Sequence, residues 1–135
     1  MIKTYKDLQN IDEVVGGLYR KDPTLEQTKF GYAYKRFVEK NYIPVMKELR
    51  ELLVNARIDL AMEDPKTKEV LTDPNPQSRG FRYDKEGLKA IIQKEKEIMA
   101  EFDKKEIEVT PFISSFVPEG LTDEDKEMLK GCVIE

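Results

Sequence analysis

Residues 24–62 read TLEQTKFGYAYKRFVEKNYIPVMKELRELLVNARIDLAM, and the spacing of their apolar side chains decides the fold class. Phe30, Tyr34, Phe37, Val38, Val45, Leu49, Leu52, Ala56 and Leu60 recur at helical intervals. At about 100° per residue they stay on one broad face, the signature of a helix that buries one side. Thr24 with Gln27 forms a T-x-x-Q capping signature, so the helix is predicted to open near residue 25 and to reach about residue 62. Pro44 lies inside it. A proline there removes a backbone hydrogen bond and crowds the preceding turn, so the spacing predicts either a kink near residues 40–44 or two helices joined near Asn41-Tyr42.

Upstream, Leu8, Ile11, Val14, Val15, Leu18 and Tyr19 mark a first helix starting near Thr4. Gly16-Gly17 weakens it, and Lys21-Asp22-Pro23-Thr24 ends it. Downstream, residues 64–84 are rich in turn signals: Asp64-Pro65, Asp73-Pro74-Asn75-Pro76 and Arg79-Gly80. Val70-Leu71 and Phe81-Arg82-Tyr83 read as short strands of a β-hairpin with a proline-rich tip, or else as an irregular loop. Asp84 can cap a further helix over residues 85–105, with Leu88, Ile91, Ile92, Ile98, Met99 and Phe102 on one face. Residues 106–109 alternate polar and apolar like a half-buried strand, which Pro111 limits. Phe112, Ile113, Phe116 and Val117 read as a segment packed over the helices. Thr122 with Asp125 opens a last short helix that Gly131 ends.

These elements predict a mainly α fold with a small β component (α+β). It comprises an antiparallel helical hairpin, a short β-hairpin or strand cap and a short C-terminal helix. The expected organisation is one domain over residues 1–135. It begins with a helix over residues 1–22. A hairpin over 25–105 follows, with its turn-rich insert at 64–84, and the strand and short helix of 106–135 close the domain. The strand is expected to pair with the strands of the insert. Phe37, Leu49, Leu52, Ile91, Ile98 and Phe102 are expected in the core.

The composition narrows the chemistry. The chain of 135 residues has no histidine and one cysteine, Cys132. Ser-His-Asp and Cys-His catalysis and the common zinc sites therefore lack their residues, as does a disulfide framework. Neither G-x-G-x-x-G nor G-x-x-x-x-G-K-[ST] occurs. The expectation is a protein that is not an enzyme and needs no metal or cofactor. No apolar run is long enough for a membrane helix, and Met1–Tyr5 lacks the apolar core of a secretory signal. Residues 119–135 hold six acids against two lysines, which accounts for the whole net charge of −4. Cys132 sits beside Val133 and Ile134 and reads as a packed hydrophobe.

Three features invite a functional reading. Lys29, Arg36, Lys40, Lys47, Arg50 and Arg57 lie roughly 180° to 280° round from Phe30 on an ideal helix, with Tyr32 and Ile43 among them. Such a stripe can meet phosphates or an acidic partner, or be a solvated face. Asn41 and Glu95 interrupt apolar stripes. The structural reading makes them register-setting polar contacts, and the functional one makes Glu95 a buried acid. Tyr32, Tyr42, Ile43 and Met46 fall off the main stripe. They are either covered by the first helix or exposed as an interaction patch. The candidate partner-binding set is Tyr32, Arg36, Lys40, Tyr42, Ile43, Met46, Lys47 and Arg50.

The order of elements, with Gly80-Phe81-Arg82-Tyr83-Asp84, Phe102-Asp103-Lys104-Lys105, Glu106-Ile107-Glu108-Val109 and Gly120-Leu121-Thr122-Asp123, resembles a family of short bacteriophage proteins of unknown function. Those proteins pair a long helical hairpin with a closing strand and a short final helix. The resemblance spans about residues 25–135 and carries no established active site. It implies a phage protein in the host cytoplasm or the virion. The leading expectation is a minor structural or assembly factor that acts by protein–protein interaction, with a phage or host protein or as a homo-oligomer. The alternatives are a host-directed inhibitor presenting the acidic C-terminal region and a nucleic-acid accessory protein using the basic stripe. No membrane association is expected.

Overall fold

The computed structural model describes residues 1–135. The protein is mainly α with a small β component. Its chain clusters into two compact units, Met1–Met46 with Asp103–Glu135, and Lys47–Phe102. No helix is long and apolar enough to cross a membrane.

The first unit opens with strand β1 (Ile2–Thr4) and helix α1 (Tyr5–Lys21). Thr4 caps α1 reciprocally with Asp7: the Asp7 amide donates to Thr4 Oγ1, and the Thr4 amide donates to the Asp7 carboxylate. Gly16-Gly17 does not interrupt α1. Its buried row of Tyr5, Leu8, Ile11, Val15 and Leu18 outweighs the propensity cost.

The next helix starts later than predicted. Asp22 rather than Thr24 acts as the cap here, accepting from the Thr24 amide, and residues Pro23–Gln27 wind as a 3-10 turn. Thr28 then caps helix α2 (Lys29–Phe37), with the Gly31 amide donating to its hydroxyl. The 3-10 turn presses on α2 so closely that a β-carbon at Gly31 would fall on the carbonyl oxygens of Leu25 and Glu26.

Between α2 and helix α3 (Ile43–Leu60) lies one π turn, Val38–Tyr42, in which the Ile43 amide reaches back to the Val38 carbonyl. Pro44 explains its position. The wider turn relieves the crowding that a proline ring imposes on the turn before it. The helical run is thus continuous from Lys29, with a π turn in place of a break. Asn41, in that turn, is buried. Its Nδ2 donates to the Phe37 and Thr110 carbonyls at 3.0 and 2.8 Å, and its Oδ1 accepts from the Thr110 amide at 2.8 Å. The polar interruption of the stripe is therefore a fastener to the chain beyond strand β2 (Glu106–Glu108).

Strand β2 pairs antiparallel with β1, in the register Ile2↔Glu108, Lys3↔Ile107 and Thr4↔Glu106. This corrects the expected pairing with the insert strands. A three-residue strand merging into a helix cap leaves too little alternation to be read from sequence. Helix α5 (Asp123–Leu129) has the predicted Thr122–Asp125 capping box. After it, Leu129, Cys132, Val133 and Ile134 are buried, and the Ser114 amide donates to the Val133 carbonyl. Burial pushes the Cys132 thiol pKa up, as suits a packing residue. Phe112 is half-buried, but Ile113, Phe116 and Val117 stay exposed, so the segment expected over the helices is only partly packed.

The second unit is a hairpin of the later turns of α3 and helix α4 (Lys85–Phe102). Asp84 caps α4, as expected, through the Gly87 amide. Leu60 lies by Gly87 and Arg57 by Glu95, so the two helices run antiparallel. The insert between them is a minimal hairpin made of single bridges, Thr72↔Phe81 and Glu63↔Val70. The Met62 backbone joins both sides, donating to Arg82 and accepting from Leu71. Pro65, Pro74 and Pro76 supply no amide donors, which keeps the ladder from lengthening. Leu49, Ala56, Ile91 and Phe102 are buried. Ile98 is half-buried, and Leu52 is 45% exposed, contrary to its expected place in the core. Two helices and a thin insert do not cover every face of an apolar stripe.

Candidate functional site

The face of α2 in the first unit gathers the most distinctive surface. Tyr32 is 59% exposed there, with a groove on each side of it. The first groove, about 460 Å³, lies between α1 and α2 and is lined by Asp12, Tyr19, Glu26, Tyr32, Tyr34, Lys35, Glu39 and Ile43 among others. The second, about 510 Å³, is lined by Lys29, Tyr32, Ala33, Arg36 and residues 112–115.

Packing sets the first groove's inner wall. Tyr34 stacks between Phe30 and Phe37, with ring centroids 6.5 and 6.3 Å away, and is itself buried. Its hydroxyl donates to Asp12 Oδ1 at 2.6 Å, tying α2 to α1. Tyr19 meets Tyr34 edge to face at 6.4 Å and 79°, so the two rings make a corner. Burial, then the hydrogen bond to Asp12, raises the Tyr34 pKa far above the ordinary tyrosine value. Burial, then the negative charge of Glu26, raises that of Tyr19. Both rings therefore stay neutral throughout the physiological range. Asp12, Glu26 and Glu39 put three carboxylates around the groove against the single ammonium of Lys35.

The second groove has the opposite character. The Arg36 guanidinium lies over the Phe112 ring, 4.7 Å from its centroid, with Lys29 beside it.

The eight residues proposed from sequence separate accordingly. Tyr32 and Ile43, the latter 49% exposed, line the acidic groove, while Tyr32 and Arg36 line the basic one. Lys40 is exposed in the π turn, and Met46 is 38% exposed. Tyr42 is a correction. It is buried, with its ring 5.8 Å from Tyr5 at 85°, because α1 covers that side of the π turn. Lys47 and Arg50 are exposed in the second unit. Of the basic stripe, Arg57 is engaged elsewhere. Glu95 Oε1 accepts from Arg57 Nε at 3.4 Å and from Arg79 Nε at 2.5 Å, joining both helices of the second unit to the insert. Glu95 is thus a structural contact with two arginine partners.

Sequence reasoning missed Asp12, Tyr19, Glu26 and Tyr34 as groove residues. Tyr19 and Tyr34 were legible only as members of apolar stripes. The carboxylates do not stand out among 27 acids. No family model matches the chain, and no curated protein or solved structure matches it.

Proposed function

We propose that the chain works without catalysis, by binding another protein through the face of α2 centred on Tyr32, as a minor structural or assembly factor of a bacteriophage. The phage setting rests on the order of elements in the sequence. The observation that supports binding is the exposure of Tyr32 and Ile43 beside the two grooves. Exposed aromatics flanked by concave, charged surface are a common form of interaction anchor. The basic stripe supports a nucleic-acid reading less well, since Arg57 is held by Glu95 and Arg36 lies on Phe112.

The test compares the wild type with a Tyr32→Ala/Ile43→Ser double variant, whose changes are at exposed positions. Light scattering over a concentration series and quantitative affinity purification from phage-infected cells are the readouts. The reading expects a stoichiometric partner, or a second copy of the chain, that the double variant loses while keeping its helical circular dichroism. A wild type that stays monomeric and retains no stoichiometric partner would overturn it.

A further inference from the structure

We propose that the acidic groove between α1 and α2 receives a cationic side chain, lysine or arginine, from the partner protein. This rests on the reading of the α2 face as the interface and supplies the chemistry of what enters it. Half-buried Tyr19 and exposed Tyr32 offer aromatic surface at the groove, while Tyr34, whose faces are covered by Phe30 and Phe37, holds Tyr19 edge to face. Aromatic faces attract a cation through their quadrupole. Asp12, Glu26 and Glu39 add the carboxylates that would pair with its charge.

The corner is already in place. The Tyr34 hydroxyl is committed to Asp12, and its ring is stacked between Phe30 and Phe37, so little ordering remains to be done on binding. Lys35 also lines the groove, yet three carboxylates line it against that one ammonium, so an incoming cation still meets net negative charge. An anionic ligand fits badly here. The basic groove on the other side of Tyr32 would repel the same cation, which gives the face a direction: basic residues of the partner go to the α1 side of Tyr32.

The experiment is a titration of the full chain followed by the NMR signals of its tyrosine rings. The probes are n-butylammonium and n-butylguanidinium, with n-butanol as the uncharged control. A short lysine- and arginine-containing peptide is a separate arm, which distinguishes a side chain on a polypeptide from a free amine. The cations and the peptide are expected to shift Tyr19, Tyr32 and Tyr34 saturably, with the peptide binding more tightly than the free cations. Butanol is expected to leave those signals in place. Tyr32→Ala and Glu39→Gln, both at exposed positions, should each weaken the cations by roughly two- to fivefold, the range for an exposed cation–aromatic contact and for an exposed ion pair respectively. Butanol shifting the same signals as effectively, or no saturable shift with either cation, overturns the proposal. A peptide that binds no better than the free cations also overturns it, leaving a site for small amines. Failure here with association still lost in the Tyr32→Ala/Ile43→Ser variant removes only the cationic ligand. Success here with a wild type that finds no partner removes the protein-binding reading instead.

Discussion

The two units use similar helices and bury them very differently. In Met1–Met46 with Asp103–Glu135, α1, α2, the π turn, β2 and the C-terminal tail surround a shared interior of Leu8, Ile11, Val15, Phe30, Phe37, Leu129 and Val133. In Lys47–Phe102 only Leu49, Ala56, Ile91 and Phe102 are buried, while Leu52, Ile58, Met62, Leu88 and Ile92 stay exposed. An amphipathic stripe promises that one side of a helix wants cover, and the number of elements within reach decides how much it gets. The first unit draws layers from both ends of the sequence. The second has two helices and a proline-rich insert, bolted at Glu95 by charge as well as by packing.

The difference can be broken most forcefully at the aromatic core of the first unit. Phe37→Ala is expected to cost about 3–5 kcal/mol, the range for a fully buried ring, read by urea unfolding. A cost no larger than that of Leu52→Ala would erase the contrast. Next comes the fastener. Asn41→Leu removes both sides of the amide's pairing with Thr110 and should cost about 2–3 kcal/mol, since the Thr110 amide and carbonyl lose their partner. A loss below about 0.5 kcal/mol would mean that water replaces the side chain at no penalty.

The tyrosines sharpen the contrast through pH. The folded state raises the Tyr34 pKa above its ordinary value of 10.0, chiefly by burial. The fold therefore keeps a proton that the unfolded chain releases above pH 10. Stability is fully present below that point and falls as pH rises past it, by about 1.4 kcal/mol per pH unit for each such tyrosine. Tyr34→Phe should flatten the alkaline slope, measured by unfolding across a pH series with tyrosinate absorbance as a second signal. An unchanged slope would mean that Tyr34 ionises freely.

The smallest effects test the less covered side. Leu52→Ala should cost only about 1 kcal/mol, because the side chain is already half in water. In α1, Gly17→Ala should stabilise by about 0.5–1 kcal/mol: the position is helical, and a β-carbon there meets only the end of the Arg20 side chain. A destabilised Gly17→Ala would show that the glycine is needed for close packing.

Much of the fold was legible because periodicity and caps are local signals. Thr4, Asp84 and Thr122 open their helices as read, and the interruption at Pro44 was placed almost correctly. The misreadings share a cause. The late start of α2 depended on which of Asp22, Thr24 and Thr28 won the cap. The β1–β2 pairing and the exposure of Leu52 depended on which distant segments arrive as neighbours. The site was half legible. Tyr32, Arg36 and Ile43 announce themselves by falling off a stripe, but a groove is a relation between two helices, and α1 supplies Asp12 and Tyr19 without any mark in its own pattern.

The pairing of Ile2–Thr4 with Glu106–Glu108 also bears on the order of events at the ribosome. β1 emerges before β2 and finds that partner only after about a hundred further residues have been made, a closure whose entropic cost grows with the logarithm of the loop. The helices between them need only near neighbours and can form earlier. During synthesis the better buried unit is therefore the later one to close. The side of α1 that meets α5 spends that interval open to whatever binds nascent chains.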